Sequence, residues 1–208
     1  MVIDNSFTTF RDRHDAGRQL ARALHHYNND PHAIVLALPR GGVVVGYEIS
    51  LALHLPLDVL VVRKLGTPFN PELAMGALAE TGYRHLNTDV IDSYGVGQGE
   101  LEEEVRRQQK EIDRRIAKYR GGRALPSLKG RTVIVADDGI ATGATFFASL
   151  AALRSAEAGR LVAAVPMAPP DAAASLRLQV DEVVVLHTPE RFFGISQFYD
   201  SFPQVEDA

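Results

Sequence analysis

Five short apolar runs, each fenced by prolines, glycines or charged turns, restrict what this chain can fold into more than any other feature. Residues 33–38 (AIVLAL) lie between Pro31 and Pro39, and residues 57–62 (LDVLVV), 132–136 (TVIVA), 161–167 (LVAAVPM) and 182–186 (EVVVL) repeat the pattern. A strand with one wet face alternates apolar with polar residues, whereas a near-continuous apolar run is covered on both faces, as in a parallel sheet. Segments of helical length, 43–53, 144–155 and 172–178, separate several of these runs. Strand, helix, strand is the βαβ unit, so the expected fold is α/β: an open, mainly parallel five-stranded sheet with flanking helices.

The remaining chain is read by the same rules. Residues 12–27 form a helix, with Asp12 as N-cap, Asp15 in the first turn and Ala16, Leu20, Leu24 and Tyr27 on one face. The GTPFNP stretch at 66–71 carries two prolines and a glycine and reads as a mobile loop. Residues 75–79 and 83–86 flank Glu80, Thr81 and Gly82 as a hairpin would. Residues 100–120 make a long charged helix with a narrow stripe of Leu101, Val105, Ile112, Ile116 and Tyr119. Glu102 with Arg106, Glu103 with Arg107 and Glu111 with Arg115 are spaced for i,i+4 pairs, so its charges are expected to be solvated support and not a binding patch.

Composition removes several classes of function. A chain of 208 residues, 46% apolar and 23% charged, buries one full core, which makes residues 1–208 a single domain with its core at about 30–170. Twenty-two basic against 26 acidic residues leave a net charge of -4, so no global basic field awaits a nucleic acid. No cysteine is present, which excludes disulfides, thiolate nucleophiles and thiolate metal sites and fits a cytoplasmic setting. The seven histidines have no metal-ligand spacing, and no apolar run approaches the roughly 18 residues of a membrane span. Residues 1–10 lack the basic and apolar regions of a signal peptide. The GGVVVG sequence after the first run lacks the GxG spacing of a dinucleotide fold, and no GK[ST] exists for a P-loop.

Ligands of open α/β sheets bind beyond the carboxyl ends of the strands, and three such junctions are chemically loaded. The strongest is 133–145, VIVADDGIATGAT. Small residues there let the backbone approach a ligand, and the N–H groups of 142–145 with the hydroxyls of Thr142 and Thr145 make a site for a phosphate dianion. Asp137 and Asp138 cannot bind that phosphate, so they serve a diol or a magnesium ion on the same ligand. At the second junction, LPRGG (38–42), Arg40 sits beside the bare amides of Gly41 and Gly42, a combination suited to pyrophosphate. The third is Arg63 and Lys64, two cations at the end of the 57–62 run just before the GTPFNP loop.

The thirteen-residue run resembles the PRPP-binding signature of type I phosphoribosyltransferases: four apolar residues, two acids and a TGxT phosphate loop. Gly139 departs from that pattern, replacing the usual bulky residue, and Ala141 stands where Thr is also common. FRDRHDAGRQLA near the start, VVRKLG, PELAMGA and FYDSFPQV near the end are similar to a bacterial subgroup of phosphoribosyltransferase-like domains, found alone or joined to a hydrolase-like domain; no such second domain is expected in these 208 residues.

The resemblance implies Mg2+-dependent transfer of a 5-phosphoribosyl group from PRPP to a nitrogen nucleophile, a nucleobase being the favoured acceptor, with release of pyrophosphate. The alternative is a non-catalytic PRPP- or nucleotide-binding regulatory module of the same fold. By resemblance, Asp137 and Asp138 hold the ribose hydroxyls and, directly or through water, the Mg2+; Ile140, Ala141, Thr142, Gly143, Ala144 and Thr145 hold the 5-phosphate, and Gly139 belongs to the same PRPP-binding run. Arg40, Gly41, Gly42, Arg63 and Lys64 then take the pyrophosphate, with a non-proline cis peptide expected at Arg40–Gly41. Glu72 is either an acid or base toward the acceptor or a helix N-terminal glutamate. A small hood over the acceptor is expected from 187–208 and the N-terminal residues, where Phe192, Phe193 and Tyr199 either stack on a base or pack in the core. Related enzymes are often dimers, so a homodimer belongs to the same expectation.

Overall fold

The computed structural model describes residues 9–206; the part of the expected hood before residue 9 lies outside them. Asp12 caps α1 (Arg13–Ala23) by accepting the Asp15 N–H at 2.7 Å, and a short 3-10 turn over His25–Tyr27 ends the segment read as helix to 27. Five strands build the main sheet: β1 (Ala33–Ala37), β2 (Leu57–Val59), β6 (Thr132–Ala136), β7 (Arg160–Met167) and β8 (Glu182–His187). They are all parallel, in the order β2-β1-β6-β7-β8. Helix α2 (Gly41–Leu53) follows β1, α5 (Ala144–Ser155) follows β6 and α6 (Pro170–Arg177) follows β7. Four of the five expected strands are in this one sheet, and the fifth contributes its first residues as β2.

Alternation along each strand explains why the runs look continuous. Ala33, Val35, Ile134, Val162 and Ala164 face α1 and α2, packing on Leu20, Leu24, Val45 and Ile49. Their neighbours Ile34, Leu36, Val133, Val135, Leu161 and Ala163 face the other way, toward Phe146, Leu150 and Leu153 of α5 and Leu176 of α6. At these positions both faces are dry, so neither set tolerates a polar residue there.

The run at 57–62 departs from expectation. It is not one strand: β2 stops at Val59, and β3 (Val62–Gly66) belongs to a separate antiparallel sheet with β4 (Ala74–Ala79) and β5 (Arg84–Leu86), in the order β3-β4-β5. The Leu60 N–H still donates to the Ala37 carbonyl in the main sheet, while the Val61 carbonyl accepts the Glu80 N–H of the second, 3.0 Å in each case. Leu60 also packs in the main core and Val61 in a second cluster with Leu65, Met75, Leu78, Leu101 and Ile112. Apolar character is unchanged across the switch of partner, so periodicity cannot mark it. The hairpin at Glu80–Gly82 is as expected. Helices α3 (Thr88–Ser93) and α4 (Gln98–Arg120) complete this second unit, with the foreseen stripe of α4 inward.

A buried ion pair pins the crossing. Arg120, at the end of α4, pairs with Glu80 and donates to the Val59 carbonyl at 3.1 Å, while Glu80 accepts the Val61 N–H at 2.7 Å. The two side chains are 4% and 3% exposed. Both ends of the crossing are therefore held by one guanidinium and one carboxylate. Near the end of the chain, Phe10 lies beside Phe198 and Tyr199 through backbone bonds from Phe10 to Phe198 (2.8 Å) and from Asp200 to Phe10 (2.9 Å). Phe10, Met167, Phe198 and Tyr199 form a small core there. Among the described residues, no helix is long and apolar enough to cross a membrane.

Replacing one partner of a buried pair strands the other. Arg120→Met is expected to cost about 3 kcal/mol or more, since Glu80 keeps its burial and loses its counter-ion; thermal unfolding should show a melting point lower by roughly 6 °C or more for a domain of this size.

Candidate active site

The carboxyl ends of β1 and β6 lie side by side, paired through Ala37 and Ala136, so the segments that follow them emerge together. After β6 come Asp137 and Asp138, then a turn whose Ile140 N–H donates to the Met167 carbonyl at 2.9 Å, tying it to the end of β7. Gly139 sits here at φ 150°, and a β-carbon on it would fall 2.5 Å from Met167 Sδ and 3.0 Å from Ile195. The departure from the family pattern at 139 thus has a local cause: Met167 at the end of β7, with Ile195 behind it, occupies the space of a side chain. Gly143 precedes the first turn of α5, which opens onto solvent at Thr142, Ala144 and Thr145.

These residues form one wall of a cavity of about 800 Å³. Asp137 and residues 139–146 line it, and across from them stand Arg63, Lys64, Gly66 and Glu72 together with Glu104, Arg107, Gln108 and Arg115 of α4. The expectation that the α4 charges are solvated support is met only in part, since Glu104, Arg107 and Arg115 line the cavity. Gln108 is buried, accepts Arg63 Nε at 2.9 Å and donates to Glu104 at 2.9 Å. Arg107 turns to Glu104 (2.7 Å) instead of Glu103, and Glu102 to Arg84 (3.0 Å) instead of Arg106; of the three spaced pairs, Glu111–Arg115 (2.8 Å) forms. Burial, then the charge of nearby Arg115, lowers the affinity of Arg63 for its proton, although a guanidinium remains charged. Hydrogen bonds from Arg114 and Arg115 hold the Glu111 pKa down to about 2. An anion entering the cavity would relieve the crowding of cations around Arg63.

Lys64 donates to the Glu72 carboxylate at 3.1 Å. Glu72 is in a turn and not at a helix start, which removes the helix-terminal reading. The 66–71 stretch is closed on itself: Thr67 donates to the Leu73 carbonyl at 3.0 Å through its N–H and to the Asn70 carbonyl at 2.8 Å through its hydroxyl.

The two acids are in different surroundings. Asp137 accepts the Asp138 N–H at 2.8 Å, and burial followed by the Asp138 charge pushes its carboxyl well above the ordinary range. Asp138 is outside the cavity wall; its carboxylate accepts from Arg13 Nε at 2.7 Å and its carbonyl from the Tyr199 hydroxyl at 2.7 Å. Burial and the Asp138 charge push that hydroxyl far above the usual phenol value, so it stays a donor. Arg40 is also away from the main cavity, in a smaller recess with Arg13 and Phe202. The cis peptide is at Pro39–Arg40, one bond before the expected Arg40–Gly41. Gly41 and Gly42 press on the acids: a β-carbon would fall 1.8 Å from Asp138 Oδ2 at position 41 and 2.7 Å from the Ala136 carbonyl at 42. Of the aromatics in the expected hood, Tyr199 packs on Phe10 (5.6 Å) and Phe202 (4.9 Å) and Phe192 on Phe198 (5.1 Å), while Phe193 is exposed.

Sequence reasoning missed Arg13, Gln108 and the α4 arginines. Arg13 looked like any charge in a first helical turn, and its partner lies 125 positions away. Gln108 carried a signal: of the two glutamines between the stripe residues Val105 and Ile112, it is the one three residues after Val105 and four before Ile112, on the side that the stripe buries.

A strand-end turn of small residues leading into a helix, two acids beside it and a cationic wall across the cavity accompany a wider likeness: the chain belongs to the phosphoribosyl transferase family. The family model described as a phosphoribosyl transferase domain matches residues 8–199. A Mycobacterium tuberculosis protein provisionally named a phosphoribosyl transferase is 46% identical over 198 residues; the match takes in 95% of this chain and 44% of that protein, so the chain spans less than half the length of this relative. The crystal structure of TT1426 from Thermus thermophilus superimposes with a TM-score of 0.81 at 40% identity, covering 96% of this chain and 94% of that one. The AQ2163 protein of Aquifex aeolicus, at 12% identity and a TM-score of 0.51 over 86% of this chain and 76% of that one, shares the fold.

Gly41→Ala should cost about 2 kcal/mol, because the new carbon overlaps Asp138 and the loop must shift. Gly99→Ala, where a β-carbon meets nothing within 4 Å, is the control and should be neutral or stabilising in thermal unfolding. Asp137→Asn should stabilise the ligand-free fold. A carboxyl whose folded pKa is raised destabilises increasingly as pH climbs from its unfolded value of about 3.9 through the folded value. The variant should therefore melt a few degrees above the parent at neutral pH, about 2–4 °C per kcal/mol, and the gap should close in acid.

Proposed function

We propose that the cavity binds PRPP and that the protein transfers its 5-phosphoribosyl group to a nitrogen nucleophile, a nucleobase being the favoured acceptor. The observation that carries this reading is the placement, on one cavity, of the amides and hydroxyls of 142–145, the Asp137 carboxylate, and Arg63 with Lys64. A single ligand with phosphate at one end, hydroxyls between and pyrophosphate at the other engages all three. In the reaction, the ribose C1–oxygen bond breaks, pyrophosphate departs with the bonding electrons, and the acceptor nitrogen forms the new C1–N bond and sheds a proton.

The chain's contribution is positioning and charge. The N–H groups at the start of α5 with Thr142 and Thr145 fix the 5-phosphate. Asp137 accepts hydroxyl hydrogen bonds from the ribose. Arg63, aimed by Gln108, and Lys64 meet negative charge that grows on the leaving pyrophosphate. Arg40, with its guanidinium in the neighbouring recess, acts on pyrophosphate only by reorienting; its loop contributes backbone.

The cavity offers the Asp137 carboxylate. One carboxylate suits Mg2+, which prefers one or two carboxylates plus ligand phosphates and water to an all-protein site. Asp137, directly or through water, would hold it with the oxygens of PRPP, where it would neutralise phosphate charge. The segment 187–206 with the chain around Phe10 is the candidate hood, and its aromatic packing leaves Phe193 as the ring free to meet a flat acceptor.

Pyrophosphate release measured with PRPP and Mg2+ across purines, pyrimidines and small amines tests the reading. At least one acceptor should give turnover, and Arg63→Met should lower its kcat/KM by about 100-fold. PRPP binding without turnover on any acceptor would instead mark a regulatory binding module.

A further inference from the structure

Asp137 and Asp138 are adjacent in sequence and serve different neighbourhoods. Asp137 opens onto the large cavity with the phosphate loop, and Asp138 does not. The Asp138 carboxylate is enclosed by Arg13 and by the backbone of Gly41, and its side chain is 13% exposed against 9% for Arg13. Arg13 is itself held on several sides: Nη1 donates to the Pro203 carbonyl at 2.7 Å, and the guanidinium carbon lies 3.6 Å from the centre of the Phe202 ring. Asp138 meanwhile donates its own N–H to Asp137 Oδ1, so whatever fixes Asp138 also orients Asp137.

We propose that the two acids divide their work: Asp137 is the carboxylate that meets the ligand, and Arg13, acting through Asp138, is a positioning residue that holds the acid turn in its binding geometry. The inference rests on the phosphoribosyl reading above. Two ionised carboxylates one residue apart repel each other and any polyanion that approaches. Pairing one of them with Arg13 leaves a single negative charge toward a ligand that carries several. The pairing also explains why glycine stands at 41, since the paired carboxylate occupies the volume of a side chain there. Through Phe202 and Pro203, the same guanidinium makes the C-terminal segment a brace for the ribose end of the site.

Isothermal titration of PRPP with Mg2+ tests the division. Asp137→Asn should raise Kd by about 30-fold or more, the loss of a charged hydrogen-bond partner, and Asp138→Asn by less than about 5-fold. Arg13→Met should raise Kd by roughly 10-fold, Arg13→Lys should recover most of that, and Arg13→Met with Asp138→Asn should bind no worse than Arg13→Met alone, because the two act as one unit. A residue that merely supports the fold would lower the melting point and the fraction of competent sites while leaving the Kd of those sites unchanged. Equal losses at 137 and 138, or an unchanged Kd in Arg13→Met, would overturn the inference. Where Arg13→Met does not fold, the ratio of Asp137→Asn to Asp138→Asn decides alone. A parent protein that binds no PRPP overturns the phosphoribosyl reading and takes this inference with it, an outcome distinct from binding with the wrong ratio.

Discussion

Neighbouring strands in a sheet are about 4.8 Å apart, so two segments leaving adjacent strands in the same direction have room for backbone and little else. At the ends of β1 and β6 that spacing governs the site. The chain after β1 presses Gly41 and Gly42 against the acids after β6, with hypothetical β-carbons 1.8 Å and 2.7 Å from the nearest atoms. Side chains of chemical use must then come from one of the two segments, and here β6 supplies them. The first segment offers bare amides and sends Arg40 outward. Close approach also puts Asp138 within reach of Arg13, whose helix packs on the same face of the sheet as α2. A parallel pairing in the register of Ala37 with Ala136 is thus the condition on which the acid turn, its pairing with Arg13 and the small-residue turn after it all depend.

The second sheet adds what the first lacks, a cationic wall. It is covalently continuous with β2 yet has its own hydrophobic cluster, and the link between the two is the crossing at Leu60 and Val61 held by Arg120 and Glu80. A buried ion pair is a poor source of net stability and a good source of specificity, because charged partners tolerate few alternative arrangements. Its place here, bonding the backbone on both sides of the crossing, fits that role. Arg63 follows the crossing by only a few residues, so the pin also sets where its guanidinium enters the cavity.

Much of this was legible in the sequence, and the gaps have physical causes. Runs covered on both faces announced a parallel sheet, and the 133–145 segment announced a strand, an acid turn and a helix start on one cavity wall, because burial and backbone access leave local marks. The break at 60–61 left none, since Leu60 and Val61 are both fully buried and differ only in which cluster receives them. Helix α4 was read correctly as amphipathic, while the reading of its charges as solvated support overlooked those that face the cavity. Charge spacing predicts partners on one helix, but Arg84, from another element, took Glu102, and Arg107 turned to Glu104. Arg13 was invisible for the same reason on a larger scale: a contact spanning most of the chain has no local signature. The cis bond fell one residue from its expected place, beside Pro39, within a loop whose composition had marked it as unusual.

The walls of the large cavity belong to different hydrophobic clusters, one built on the parallel sheet and the other on the hairpin and α4. Under the proposed function, a polyanion gripped by residues 142–145 on one side and Arg63 on the other would be a cross-brace between two bodies as well as an occupant. Its arrival should be felt as stiffening along the middle of α4 and in the first turn of α5 together, which makes amide exchange in either element a reporter of events at the opposite wall.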